Sequence, residues 1–218
     1  MKCISLLSLA LLSSSALAAP PVPADDILIA LSRCDRVFFE ALQQRAGELA
    51  TNKHFVKAPA YGYFKVSDRG DPERSLLTFA SPLNISSIQL VAYFDQLFPL
   101  VDKDMFIAWG FLLKAPIAEV MKSAQSSIWD NQRLQPDGGM YTRTEILDLA
   151  QPDIGWQKVV TPGSTELQPG TVERVLMIES YEKDPALTRF ACTLRGPVTP
   201  EVLKTARPDV STKALSMH

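Results

Sequence analysis

The sequence predicts an α+β fold: a mostly antiparallel sheet packed against a long N-terminal helix, with a second helix inserted and a strand hairpin near the C-terminus. Three observations carry this. The apolar stripe Ile27, Leu31, Cys34, Phe38, Leu42 and Leu49 is spaced in fours and threes, the period of one helix face. Alternating apolar segments fill the middle of the chain, the period of half-buried strands. The apolar runs Val175 to Ile178 and Phe190 to Cys192 flank the turn Glu182-Lys183-Asp184-Pro185, so Val172 to Leu194 reads as a hairpin.

The elements follow in order. Residues 1–18 join Lys2, the apolar run Ile4 to Leu12, a serine patch and Ala16-Leu17-Ala18, the pattern of a secretory signal peptide cut after Ala18. The apolar run is too short for a permanent span, which needs roughly 20 apolar residues, and no later segment is long and apolar enough. Residues 19–210 then form one globular domain, and the polar residues 211–218 are expected to fray. After Pro20-Pro21-Val22-Pro23, Asp25 and Asp26 open the long helix, which runs to about Leu49, because acids complement the partial positive charge of a first helical turn.

Tyr61 to Val66 and Leu76 to Ala80, separated by Ser67-Asp68-Arg69-Gly70-Asp71-Pro72, are expected to pair as a hairpin. Ile88, Leu90, Ala92 and Phe94 alternate as a strand. Its predicted partner is Met105 to Leu113, where Ile107, Trp109, Phe111 and Leu113 face one way and the small Ala108 and Gly110 the other. Pro116 suits the first turn of a second helix with the stripe Ile117, Val120, Met121, Ala124 and Ile128. Pro136-Asp137-Gly138-Gly139 is a turn, Tyr141 to Leu147 and Trp156 to Val160 are short strands, and Thr161 to Thr171 is a mobile surface loop. In the C-terminal hairpin, setting Tyr181 opposite Ala186 puts Val175 and Met177 on the face of Phe190 and Cys192. Pro200 to Ala206 is a last short helix, stopped by Pro208.

The chain carries 22 basic and 24 acidic residues, and losing the leader removes only Lys2. Such a near-neutral balance offers no basic field for nucleic acid or anionic lipid. Loss of the leader also removes Cys3 and leaves Cys34 and Cys192, which an oxidising compartment would join as a disulfide. Periplasmic or secreted localisation follows.

Catalytic motifs are absent. His54 is the sole internal histidine, and no Gly-x-Ser-x-Gly elbow accompanies it; Gly163-Ser164 lacks the strand-to-helix setting, and Ser211-Thr212-Lys213 lies in the tail. Glu119 and the acids Asp95, Asp102 and Asp104 are the candidates for an acid pair, with solvated turn and helix acids as the ordinary reading. Two sulfurs with His54 and His218 do not make a closed metal shell, Asp102-Lys103-Asp104 is not a calcium loop, and Gly138-Gly139 does not cradle phosphate, so no cofactor is expected. Asn84-Ile85-Ser86 is a glycosylation sequon only in a eukaryotic source. Trp129 and Trp156 are the candidate anchors for a protein partner, since large amphipathic side chains dominate binding energy. The expectation is an exported, non-catalytic protein-binding protein, an inhibitor or a toxin-immunity factor. Two alternatives stay open: a secreted hydrolase with an acid-based or His54-based site, and a carrier of an apolar ligand held between sheet and helix.

Overall fold

The structure is a computed structural model that describes residues 27–85, 88–101, 104–159 and 167–216. The predicted leader, Asp25, Asp26, Asp102, Gly163, Ser164 and His218 lie outside them. The fold is α+β, with a large antiparallel sheet and few helices.

The long N-terminal helix is not found. Its described part is three short helices, α1 (Ile27–Ser32), α2 (Val37–Gln44) and α3 (Ala46–Leu49). The break falls at Cys34, which sits at φ 54°, in the left-handed region that no helix interior admits. Cys34 N–H closes a turn on the Leu31 carbonyl, and Asp35 Oδ1 accepts from Val37 N–H to start α2. This kink brings Cys34 to Cys192, with the two Cα atoms 5.3 Å apart and the disulfide formed. The apolar period runs through the break because α1 and α2 both pack on one core, where Ile27, Leu31, Cys34, Phe38 and Leu42 are all fully buried.

Strands β1 (Phe55–Lys57) and β2 (Gly62–Phe64) pair with each other, so the predicted pairing of 61–66 with 76–80 does not form. Gly62 permits the close turn: a Cβ there would stand 2.7 Å from the Phe55 ring. The turn-rich segment after β2 instead anchors on the sheet, where the Arg69 carbonyl accepts from Leu97 N–H and the Ser75 carbonyl from Asp95 N–H.

The remaining strands are β3 (Leu76–Ile85), β4 (Ile88–Pro99), β5 (Met105–Leu113), β6 (Gln135–Asp137), β7 (Met140–Asp148), β8 (Gln157–Lys158), β9 (Thr171–Tyr181) and β10 (Asp184–Gly196). They form an eight-stranded sheet in the order β3-β4-β5-β10-β9-β7-β6, with β8 on β7. The predicted pairing of β4 with β5 is present, Phe94 standing opposite Gly110 and Tyr93 opposite Phe111. Helix α4 (Ile117–Ala124) begins after Pro116 and stops short of Ile128, and α5 (Pro200–Ala206) is capped by the Thr199 hydroxyl, which accepts from Val202 N–H. Thr212–Ser216 forms a 3-10 turn from which Ala214 and Leu215 pack on the core.

The hairpin β9–β10 is present, but its faces are the reverse of those predicted. Phe190 stands opposite Ile178 and Cys192 opposite Leu176, because the register shifts between Asp184 and Thr188. A one-residue slip exchanges the faces of a strand. The predicted register carried no irregularity and therefore put Val175 and Met177 on the wrong side.

Two apolar layers result. The larger joins the helices to one face of the sheet, through Phe38, Phe39, Phe64, Phe79, Trp109 and Phe111, with aromatic neighbours such as Phe38 and Phe111 at 5.8 Å in edge-to-face contact. The smaller contains strand residues alone: Ala92, Phe94, Ala108, Leu112 and Ala191. They are buried although no helix contributes to their layer.

Candidate functional site

The second layer is buried because the sheet coils. Glu73 lies just before β3 and Lys183 in the turn between β9 and β10, strands that stand four and three places from β3 in the sheet. At about 4.8 Å per strand a flat sheet would hold their backbones roughly 14 to 19 Å apart. Lys183 Nζ nevertheless lies 3.0 Å from Glu73 Oε1. Sheet twist together with the reach of the two long side chains brings these corners into contact across the helix-free face, and the ion pair spans the hollow beneath them.

That hollow is a cleft of about 460 Å³. Register sets its floor. Leu76 opposes Phe94 on β3–β4, Phe94 opposes Gly110 on β4–β5, Gly110 opposes Ala191, and Ala191 opposes Met177, so one row of side chains crosses the sheet on this face. Two residues along β5 from Gly110, Leu112 stands in the next row on this face, between Ala92 and Arg189. Small side chains at Ala92, Ala108, Gly110 and Ala191 keep the middle low. At Gly110 nothing larger fits, because a Cβ would stand 2.1 Å from the Phe190 carbonyl oxygen.

Polar groups ring this floor. Arg189 Nη1 donates to Glu179 Oε1 at 2.7 Å and stacks over the Phe94 ring at 4.5 Å. Ser75, Gln96 and Ser180 line the walls, and Glu182 stands at the mouth beside Lys183. Next to Lys183, whose proton is held more firmly than usual mainly by its hydrogen bond to Glu73, Glu182 forms no ion pair of its own among the described residues.

The opposite face holds a buried ionic cluster. Asp95, fully buried, accepts from Arg69 Nε at 2.7 Å and from Arg207 Nη2 at 2.8 Å. Asp209, its side chain also fully buried, binds Arg207 Nε at 2.9 Å and Arg69 Nη2 at 2.5 Å. Arg207 lies over the Trp109 ring at 4.8 Å. Two guanidinium groups and two carboxylates thus balance, tying the segment after α5 to β4 and to the loop before β3. Burial pushes both carboxyls up. For Asp209 the charges of Arg207 and Arg69 and the bonds of Arg207 outweigh burial and hold it below the usual range, whereas for Asp95 burial prevails. Burial, with the Asp95 charge, also drives the Tyr93 hydroxyl well above its ordinary value. Tyr93 Oη, Trp109 Nε1 and Arg207 Nη1 have no hydrogen-bond partner among the described residues.

Such a cluster makes a poor general acid or base. Asp95 has no open face toward a substrate, and its proton equilibrium is set by groups that are themselves locked. The other candidate acids do not converge on it: Glu119 is exposed on α4 and Asp104 is half-buried before β5. His54 enters β1 with its backbone N–H on the Asn52 side chain. No group of three or more histidine, cysteine or acidic side chains suited to a metal occurs among the described residues. Gly138 and Gly139 turn β6 into β7, and Asn84 lies exposed on β3.

Both tryptophans singled out in the sequence are half-buried. Trp129 is covered by Arg143 at 4.6 Å and Arg33 at 5.2 Å, and Trp156 by Arg174 at 4.3 Å. Arg143 is 2 % exposed and donates to the carbonyls of Trp129 and Ser32; burial lowers its pKa to about 10, despite the nearby Glu145 charge. These arginines extend the core layer beyond the helices. The cleft residues Glu73, Leu112, Met177, Lys183 and Arg189 carried no such signal in the sequence. They meet through the coil of the sheet, which no local spacing records.

No family model, no curated protein and no solved structure matches the chain. What the molecule defines is a class of architecture: an α+β domain with a disulfide-tied, helix-covered face and an open, concave one. Among the described residues, no helix is long and apolar enough to cross a membrane, and the disulfide is compatible with a compartment outside the cytoplasm.

Proposed function

We propose that this chain is an exported protein-binding protein that acts without catalysis, as an inhibitor of another protein or as an immunity factor against a toxin. The observation that carries the reading is the cleft. It combines an apolar floor with polar walls, the composition of a site that takes a protein segment, and it lies on the face the helices leave free. The charge-paired Asp95–Arg207 cluster supports the non-catalytic part of the reading, because its buried charges are committed to one another. The disulfide supports export.

The test is affinity capture from periplasmic extract with the mature protein, repeated against purified candidate toxins. A specific protein partner, recovered with the folded, disulfide-bonded chain and absent from a reduced and unfolded control, supports the reading. Recovery of no specific macromolecule in either format overturns it.

A further inference from the structure

The cleft also indicates what kind of segment it takes. We infer that it receives a stretch of a partner protein that lays one large apolar side chain over Leu76, Phe94, Leu112 and Met177 and sets a lysine or arginine against Glu182; the inference rests on the protein-binding reading above. A volume of about 460 Å³ falls within the span of small binding sites, roughly 300 to 1,000 Å³. Met177 is half-buried and unbranched, so the floor can adapt to rings and branched chains alike.

Polar lining separates a peptide from a lipid. Gln96 and Ser180, with the Arg189–Glu179 pair, would be desolvated without compensation by a hydrocarbon chain. A polypeptide brings backbone donors and acceptors to each of them. Charge then selects the neighbour of the apolar residue. Glu73 is matched by Lys183 and Glu179 by Arg189, which leaves Glu182 as the cleft's unmatched charge and calls for a cation.

Entry requires the corners to part. The Glu73–Lys183 bridge joins side chains that are 80 % and 64 % exposed, and such a bridge adds little to stability. It can open for an arriving segment and close again across it, with the rest of the fold unmoved.

The experiment is a titration of the mature, oxidised protein, labelled at its methionine methyl groups, with acetyl-Phe-Lys-amide, acetyl-Phe-Glu-amide and decanoate, followed by NMR. The expected result is a shift of the Met177 methyl with the lysine probe and about fivefold weaker binding of the glutamate probe, the size of one solvent-facing charge contact. Glu182→Lys should invert that order. Equal binding of the two peptide probes, tighter binding of decanoate, or no Met177 shift with either peptide overturns the inference. Capture of a partner from extract separates the two levels of failure. A partner held equally well by the wild type, Glu182→Lys and Met177→Glu removes the cleft and leaves the binding function standing, whereas no partner at all removes the function.

Discussion

The two faces of the sheet are made by alternate residues of the same strands, and they are organised by opposite means. On the helix-covered face, β4 and β5 present Tyr93, Asp95, Trp109 and Phe111, all fully buried against α1, α2 and the segment after α5. On the concave face the same strands present Ala92, Phe94, Ala108, Gly110 and Leu112, buried mainly by curvature. The first face holds large rings, a disulfide and a closed set of charges, and it accounts for most of the stabilisation. The second holds a shape. Its charges are one exposed pair, Glu73–Lys183, and one part-buried pair, Glu179–Arg189, and its apolar floor is partly open.

Breaking the first face should therefore have the largest effects. Replacing both cysteines, Cys34→Ala with Cys192→Ala, releases a link across a sequence separation of 158 residues. The chain-entropy estimate for a loop of that length is about 5 kcal/mol, a large part of a typical domain's stability. Urea unfolding under non-oxidising and oxidising conditions measures it. Identical midpoints for wild type in the two conditions would mean that the link contributes nothing.

Arg207→Ala comes next, at about 3 to 5 kcal/mol, since it leaves two buried carboxylates sharing the single guanidinium of Arg69. The same cluster sets an acid response whose sign can be worked out. Asp209 has a folded pKa below its unfolded one, so its contribution is present above the usual carboxylate range and is lost as pH falls through the folded value. Asp95 is shifted the other way: between the usual carboxylate value and its raised one, the folded state binds the proton more readily, and acidification favours folding. The two partly cancel in the wild type. Asp209→Asn should remove the acid-side loss and leave the opposing slope, as read from urea midpoints between about pH 6 and pH 3. A steeper loss on acidification in that variant would contradict the assignment.

How far the sequence revealed these faces depends on whether their cause is local. Alternation alone identified β5 and set Trp109 and Phe111 opposite Ala108 and Gly110, and Thr199-Pro200 marked α5 through its cap chemistry. Counting cysteines beyond the leader paired Cys34 with Cys192. What escaped was set by distant partners. Cys34 breaks the expected helix because the disulfide needs it in the left-handed region. The register shift in β10 reversed the expected faces of the hairpin. Arg69, Asp95, Arg207 and Asp209 meet from three separate segments, and the sequence around Asp95 suggested only a neighbourhood of turn acids. The cleft was the least visible, since its corners join only once the sheet has twisted.

The concave face is permissive at its rim but not at its centre, and one substitution sharpens that distinction. Gly110→Ala adds a single methyl group where the neighbouring strand's Phe190 carbonyl oxygen is 2.1 Å away, so β5 and β10 must separate. Overpacking of this kind costs about 1 to 3 kcal/mol, with a measurable fall in Tm. An unchanged Tm would show that the strands are free to move apart there.

Lys183→Ala marks the other extreme. Its partner Glu73 lies at the opposite corner of the cleft, and both side chains are mostly in water. The stability change should be too small to move the urea midpoint beyond replicate scatter, and added salt should shrink it further because mobile ions weaken solvent-exposed pairs. Its visible effect should fall on the corners instead. With the bridge gone, amide hydrogen exchange should quicken in the turn Glu182-Lys183 and in the segment Asp71 to Glu73, while the central strands β5 and β10 keep their protection. If exchange quickened in β5 and β10 as well, the two corners would be part of the same cooperative unit as the core, and the concave face could not open independently of it.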